Sequence, residues 1–97
     1  MNDPKRSVTV RIAGEEHSIR SSAEPEYTRR CARYVDERIH TIKQQVGLLE
    51  GHKAAILAAL SITDELFQVQ DALAAARGEA AERAEKLRRR LERALDG

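Results

Sequence analysis

The chain opens with a stretch in which apolar and polar side chains alternate. Val8, Val10 and Ile12 are separated by single polar residues, and the alternation resumes around Ile19. A period of two is typical of a half-buried β-strand, so the two segments predict a β-hairpin. A lone two-stranded hairpin is unstable in water, so its apolar face must be covered by another element.

The residues between the two segments predict the turn and the pairing of the strands. Gly14-Glu15 suits the central pair of a type II′ turn, in which Gly adopts a positive φ. With that turn, Ile12 lies opposite His17 and Val10 lies opposite Ile19. The predicted register places these side chains on one face of the hairpin, with His17 among them.

A pattern with steps of three and four follows and predicts a first helix that ends near Gln45. Ser21-Ser22 supplies N-capping side chains at its start, and Gly47 ends it before a connector at residues 48–51. Its apolar side chains form one stripe, in which Cys31 is expected to pack in the core. The stripe consists of Tyr27, Cys31, Tyr34, Val35, Ile39, Ile42 and Val46.

From about His52 onward the chain lacks Pro and predicts one helix of about 44 residues. Its apolar positions alternate in steps of four and three, which is the spacing of a coiled-coil seam, with a stutter after Ala80. The predicted oligomer seam consists of Ile62, Leu66, Val69, Leu73, Ala76, Ala80, Ala84, Leu87, Leu91 and Ala94. Because the first helix is about half as long as the second, we expect it and the hairpin to cover the second only to about Phe67. The rest must be covered by another chain or be disordered.

These patterns predict an α+β protein that is mostly α: a small head of β-hairpin and helix, followed by a long C-terminal coiled-coil helix. The head comprises residues 1–51. The long helix comprises residues 52–97; its start packs on the head and the remainder serves oligomerisation. Of 97 residues only 3% are aromatic, which is too little large apolar surface for the core of a self-sufficient small enzyme. We therefore expect an oligomer that is not an enzyme.

Side chains for catalysis or metal binding are sparse. His17, His40 and His52 lie in different predicted elements without a recognised ligand spacing, so no metal or other cofactor is expected. Asp36-Glu37 and Asp64-Glu65 are neighbours on helices and do not face each other, so no catalytic residues are expected either. No apolar run is long enough for a membrane span and no secretory signal is visible, so we expect a cytoplasmic protein with no membrane partner.

Arginine clusters offer an alternative function. Arg29, Arg30 and Arg33 lie on one side of the first helix, and Arg88–Arg90 lies near the C-terminus. A small helical protein could bind nucleic acid through such faces. The formal net charge of only +1 and the neighbouring acids make this the weaker hypothesis.

Several segments form a characteristic combination when they are taken in order. They are Val8–Gly14, Ile19, Glu26-Tyr27, Tyr34–Ile39 and Lys53–Leu66. In this order and spacing they resemble the ZapA family of bacterial cell-division proteins. The tail beyond them matches only as a coiled coil, a feature that many families share.

The resemblance implies a homodimer that doubles to a homotetramer through the long helix. It also implies a partner, the tubulin-like division GTPase FtsZ, whose filaments such proteins bundle in the Z-ring at the division site. Arg38 and Lys43 carry over as FtsZ contacts, and His52 and Lys53 lie just beyond the connector, where they could extend that basic surface. Ser61 stands where the family often has Asn, so we expect a hydrogen bond between the helices to be missing there.

Overall fold

The computed structural model describes residues 4–47 and 49–96. The elements in chain order are β1 (Arg6–Ile12), β2 (Glu15–Ser21), α1 (Pro25–Val46) and α2 (Gly51–Asp96). The strands form a two-stranded antiparallel sheet, so the predicted α+β class with a long C-terminal helix is confirmed. The chain forms two compact units, Met1–Ile62 and Thr63–Gly97.

The hairpin turn is centred one residue earlier than predicted. Ala13 and Gly14 have φ values of 54° and 79°, and two positive φ angles are what a type I′ turn requires. Val10 therefore pairs with His17 and not with Ile19, so the predicted register is wrong. Because side chains alternate with a period of two, a shift of two residues leaves the same side chains on the apolar face. The alternation alone could not choose between these registers.

The hairpin is held on α1 by a small apolar cluster. Val8 and Val10 are buried against Ala32, with Ile12 and Ile19 packed at the margin of the cluster. A valine that is fully removed from water contributes about 1.5–3 kcal/mol. The cover that a lone hairpin needs is therefore supplied by α1, at the level of Ala32.

A second cluster joins α1 to the start of α2. Ile39 and Ile42 pack against Ala54 and Ala58, and both alanines are almost completely buried. Alanine has no side chain beyond Cβ, so the two helices can approach closely at these positions. Ile12 also packs against this cluster, and it thereby links the hairpin to the helix pair.

The buried face of α1 agrees with the predicted stripe at Ile39 and Ile42, but in the N-terminal half of the helix it lies one position later along the chain. Thr28 and Ala32 are buried together with Ile39 and Ile42. Tyr27 and Tyr34 are 57% and 43% exposed, and Cys31 is exposed as well. Core packing of Cys31 and of the two tyrosines was therefore a wrong prediction. The small side chain of Ala32 lets the hairpin lie close to the helix, which the larger residues would prevent.

Helix α1 begins and ends near the predicted positions. Its N-cap is Glu24, which makes no side-chain cap hydrogen bond, so the predicted serine caps are wrong; the Ser21 hydroxyl accepts a bond from the Ala23 amide at 3.0 Å. The Gly47 amide donates to the Lys43 carbonyl at 3.1 Å, and its φ of 87° favours glycine. The predicted connector includes Leu48, which lies outside the described residues.

Helix α2 is a single helix of 46 residues, as its apolar pattern predicted. Its buried residues are Ala54 and Ala58, and cover weakens by Ile62, which is half-buried. Phe67 is 57% exposed, so the expectation of cover as far as Phe67 is wrong. The buried contacts of α2 are made at Ala54 and Ala58, against Ile39 and Ile42 of α1.

Across residues 4–47 and 49–96, no single helix is both long and apolar enough to span a membrane. Taken together, the bent pair of α1 and α2 is long and apolar enough to span one, by length and composition alone.

Candidate functional site

One backbone bond fixes the hairpin turn on α1. The Ala13 amide donates to Oδ1 of Asp36 at 2.8 Å. A charge-assisted bond of this kind is stronger than a neutral one. The bond places the turn beside the C-terminal half of α1, so that the turn, α1 and the start of α2 border a common surface.

This surface contains two neighbouring cavities of about 350 and 190 Å³. Ala13, Ile39 and Lys43 line both of them, and we call the combined surface the turn-side cleft. Its polar and charged lining side chains are Glu15, His17, Asp36, His40, Lys43 and His52. The sequence placed the three histidines in separate elements, and the fold gathers them around one cleft.

The four residues that the sequence predicts to contact FtsZ are only partly brought together. Lys43 and His52 line the turn-side cleft. Lys53 is exposed next to His52 but lines neither cavity. Arg38 lies elsewhere on α1, because five residues correspond to about 140° around a helix.

The guanidinium of Arg38 connects α1 to α2. One nitrogen donates to the Ser61 hydroxyl at 2.8 Å and another to the Tyr34 hydroxyl at 3.1 Å. The guanidinium carbon also lies 5.3 Å from the centre of the Tyr34 ring, within the range of a cation–π contact. The expected loss of a hydrogen bond between the helices at Ser61 is therefore wrong, because Ser61 accepts one from Arg38.

Replacing Arg38 by alanine is expected to lower the free energy of unfolding by about 1 kcal/mol, because a partly exposed charge-assisted bond is lost. Urea unfolding followed by circular dichroism measures the change, and Lys53→Ala is the exposed control. In a double-mutant cycle, Ser61→Ala should add little once Arg38 is gone. Additive effects of the two substitutions would contradict the proposed link between the helices.

The second candidate surface is the predicted seam of α2. The large seam side chains Leu66, Val69, Leu73, Leu87 and Leu91 are between 49% and 61% exposed. The seam alanines beyond Ile62 are exposed too. An apolar face of this length on a soluble helix marks a site of protein association.

Apolar exposure is not confined to the seam. Within Met1–Ile62 the exposed large apolar side chains are Tyr27, Tyr34, Val46, Ile56, Leu57 and Leu60. Tyr27, Cys31 and Val35 also line a groove of about 310 Å³ together with Ile12 and Ile19. The sequence assigned these α1 side chains to the core, and so it missed this exposed face.

The arginine clusters are partly compensated by carboxylates. Arg33 and Arg29 each lie 3.3 Å from Glu26, and their hydrogen bonds hold the pKa of the Glu26 carboxyl below its usual value. A lowered carboxyl pKa means that these pairs stabilise the fold above the usual pKa and lose that effect as the pH falls through the lowered value. A paired guanidinium attracts phosphate less, which disfavours nucleic acid as a ligand at this cluster.

The cluster near the C-terminus is compensated in the same way. Hydrogen bonds from Arg88 and Arg89 lower the pKa of the Glu85 carboxyl, and the Glu85–Arg89 pair spans 3.3 Å. Arg88 also pairs with Glu92. These side chains form an exposed ion-pair network along α2.

Comparison with known proteins identifies the family. The profile of the family described as "Cell division protein ZapA" matches residues 8–91. A cell division protein ZapA from Shouchella clausii is 33% identical over 69 residues, which cover 71% of this chain and 88% of that protein. Another from Geobacillus thermodenitrificans is 31% identical over 70 residues, covering 72% and 77%.

Solved structures agree with this result. A protein described as an unknown conserved bacterial protein from Pseudomonas aeruginosa has a TM-score of 0.76 and 27% identity, covering 90% of this chain and 97% of that one. A structure described as a ZapA mutant dimer from Geobacillus stearothermophilus has a TM-score of 0.62 and 28% identity, covering 80% and 91%. The family profile spans most of the residues that build the hairpin, α1 and α2, and the chain therefore belongs to the ZapA family of cell-division proteins.

Proposed function

We propose that this protein is a non-enzymatic division factor that binds FtsZ and cross-links its filaments as a homotetramer, in the cytoplasm at the Z-ring. Membership of a cell-division family supports the cellular role. The single observation that carries the scaffold mechanism is the long apolar face of α2, which is exposed within the chain. A similar structure described as a dimer supports self-association.

The seam supplies the assembly step. Leu87 and Leu91 alternate with small side chains such as Ala84 and Ala94, so copies of α2 can approach closely and bury the leucines between them. Each buried leucine contributes about 1.5–3 kcal/mol. Two copies of α2 form the dimer, and further burial of the same apolar face joins two dimers.

Cross-linking follows from the number of binding surfaces in one assembly. A tetramer carries four copies of the hairpin and α1, so a second contact to a filament is intramolecular once the first has formed. The effective concentration then raises the overall affinity well above that of a single contact. Weak individual contacts are therefore sufficient, and filaments can still rearrange.

The turn-side cleft is the contact surface that the geometry favours. Lys43 and His52 line it, and Lys53 adds an exposed ammonium beside it. FtsZ-type GTPases are acidic, so the ammonium groups of Lys43 and Lys53 would favour the encounter, on a surface that also holds the carboxylates of Glu15 and Asp36. Arg38 is the weakest of the four predicted contacts, because its guanidinium is bonded to Ser61 and Tyr34.

Reversing the charge of Lys43 and Lys53 together, as Lys43→Glu with Lys53→Glu, is expected to lower the fraction that co-pellets with polymerised FtsZ at least about fivefold. The assembled mass and the helical circular dichroism should not change, because neither side chain belongs to the buried clusters. Arg89→Glu is the matched control on α2 and should pellet like the wild type. Normal pelleting of the double variant would contradict this contact surface and make Arg29, Arg30 and Arg33 the next candidates.

Two further observations test the proposed function as a whole. The wild-type protein should pellet with FtsZ polymers and change single filaments into bundles in electron micrographs, and a fluorescent fusion should form a ring at the division site. Salt-sensitive retention on DNA without pelleting would favour the nucleic-acid alternative.

A further inference from the structure

The hairpin leaves one edge of β1 open. In the described part of the chain, β1 pairs with β2 alone, so its other edge is not covered by a strand. A cavity of about 220 Å³ contains three successive residues of β1 and side chains of α1, but no described residue of β2. It therefore lies along the open edge, and we call it the edge groove. Its lining residues are Thr9, Val10, Arg11, Arg29, Ala32 and Arg33.

The backbone of β1 offers hydrogen-bonding groups to the edge groove. Ile12 and Glu15 flank the two-residue turn and form the hydrogen-bonded pair that closes the hairpin. Bonded and non-bonded pairs alternate from there, so Thr9 and Arg11 belong to non-bonded pairs. The N–H and C=O groups of residues in such pairs point away from the partner strand. Thr9 and Arg11 therefore present donors and acceptors to the open edge with the spacing that an added strand requires.

Three guanidinium groups surround these backbone groups. Arg11, Arg29 and Arg33 are each at least half exposed, and none of the described residues that line the groove is acidic. Glu26 engages one nitrogen of Arg29 and one of Arg33. The Glu16 carboxylate lies 3.9 Å from a nitrogen of Arg11, which is beyond hydrogen-bond distance. The three arginines and these two carboxylates together keep one net positive charge, and each guanidinium keeps further N–H donors for a ligand.

We propose that the edge groove binds an extended, carboxylate-bearing segment of a partner protein, which joins the hairpin as a third strand beside β1. The backbone edge selects a peptide chain, because a peptide supplies alternating donors and acceptors whereas a phosphate backbone offers acceptors alone. The guanidinium groups select carboxylates, which they can bind with two parallel hydrogen bonds. A third strand also stabilises a sheet that is marginal with two strands.

A second copy of this chain is a poor occupant of the edge groove. Pairing of β1 with β1 of another copy would bring Arg11, Arg29 and Arg33 of both copies together, and like charges on neighbouring strands are destabilising. Charged side chains at a sheet edge commonly prevent such self-pairing. The same charges attract an acidic strand, so they discriminate between the two occupants.

This inference goes beyond the proposed function, because it assigns a second partner and depends neither on FtsZ binding nor on the tetramer. The edge groove shares no lining residue with the turn-side cleft among the residues that the structure describes. Both surfaces could therefore be occupied at the same time. One assembly would then hold FtsZ at the turn-side cleft and a second protein at the edge groove.

The first test uses a fluorescein-labelled peptide of about eight residues in which glutamate alternates with threonine. Fluorescence anisotropy with the full-length protein at low salt should show binding, and a peptide with glutamine in place of glutamate should bind about tenfold more weakly. Arg29→Gln/Arg33→Gln should weaken binding of the acidic peptide about five- to tenfold. Arg30→Gln is the matched control, because Arg30 is exposed on α1 but does not line the groove. Undetectable binding of the acidic peptide, or equal binding of the two peptides, would overturn the proposal.

A second pair of variants separates strand addition from simple charge attraction. Thr9→Pro removes an N–H that points to the open edge of β1, and proline is tolerated where that N–H faces solvent. Ser18→Pro removes the equivalent N–H of the residue that pairs with Thr9, on the outer edge of β2. Thr9→Pro should weaken peptide binding about two- to tenfold, and Ser18→Pro should leave it unchanged. Equal binding by the two proline variants would contradict a third strand at β1.

Hydrogen exchange of the unsubstituted protein gives the same information without a change of sequence. Bound acidic peptide should slow exchange of the Thr9 and Arg11 amides, because both become hydrogen-bonded to the added strand. The Val10 amide is the internal control, since it already faces β2 in its pair with His17. Unchanged exchange at Thr9 and Arg11 in the presence of saturating peptide would exclude strand addition.

Other occupants and the proposed function give distinct outcomes. A single-stranded oligonucleotide of the same net charge as the peptide should bind more weakly, and tighter binding would assign the groove to nucleic acid and overturn the proposal. Arg29→Gln/Arg33→Gln should co-pellet with FtsZ like the wild type, and a loss of pelleting would place FtsZ in the groove and remove the second partner. Peptide binding without any FtsZ pelleting by the wild type would contradict the proposed function alone.

Discussion

Leu87→Glu is expected to dissociate the assembly to dimers or monomers. Leu87 lies in the predicted seam and is about half exposed within the chain, and in the proposed assembly another copy of α2 buries it. A carboxylate at this position would be buried without a partner, at a cost of several kcal/mol per copy, repeated in every chain of the assembly. Sedimentation equilibrium measures the mass, and loss of cross-linking should accompany the loss of mass.

The matched control places the same residue on the other side of the helix. Arg89 lies about 200° around α2 from Leu87, and Arg89→Glu loses the exposed pair with Glu85, which contributes little because both side chains are solvated. This variant should keep the wild-type mass. A Leu87→Glu protein with an unchanged tetramer mass would remove Leu87 from the seam.

Val8→Asp is expected to detach the hairpin and abolish filament bundling while the α2 assembly persists. Val8 is the most buried side chain of the hairpin, at 2% exposure, and it packs against Ala32 together with Val10. Burying an unpaired carboxylate there costs about 3 kcal/mol or more, and the apolar contact of the valine is lost as well. Co-pelleting with FtsZ, circular dichroism and sedimentation of the same samples measure the three consequences.

Thr9→Asp is the control for the hairpin. Thr9 is the next residue of β1, is exposed, and points to the opposite face of the sheet. The Thr9→Asp protein should bundle FtsZ filaments normally. Deleting residues 1–20 should reproduce the Val8→Asp result, and normal bundling by that shorter chain would mean that the hairpin takes no part in binding.

The sequence by itself determined the elements of this protein. A period of two at Val8, Val10 and Ile12 specified a strand, and the seam of α2 specified a helix with an apolar face. These features follow from chain geometry, because burial on one side imposes a fixed spacing whatever the neighbouring element is. The family resemblance was available for the same reason, since it rests on local segments.

The tertiary structure decided which faces meet. The hairpin register depended on the positive φ of Ala13, which the alternation of side chains does not report. The buried face of α1 depended on where the hairpin could approach closely. The small Ala32 is buried under the hairpin, whereas the larger Tyr34 is exposed. Apolar size predicts burial only when the space around the residue is known.

The candidate site could be predicted only in part from the sequence, because it also depends on which faces of the elements meet. Lys43 and His52 were proposed from their positions near the turn between the helices, and the fold does place them in one cleft. Arg38 was proposed with them, but its guanidinium reaches Ser61 on α2. His17 and Glu15 were missed because they are distant in sequence. Only the packing of the hairpin against the helices brings these side chains to the same cleft as Lys43 and His52, because a cleft is formed by residues that are close in space and not along the chain.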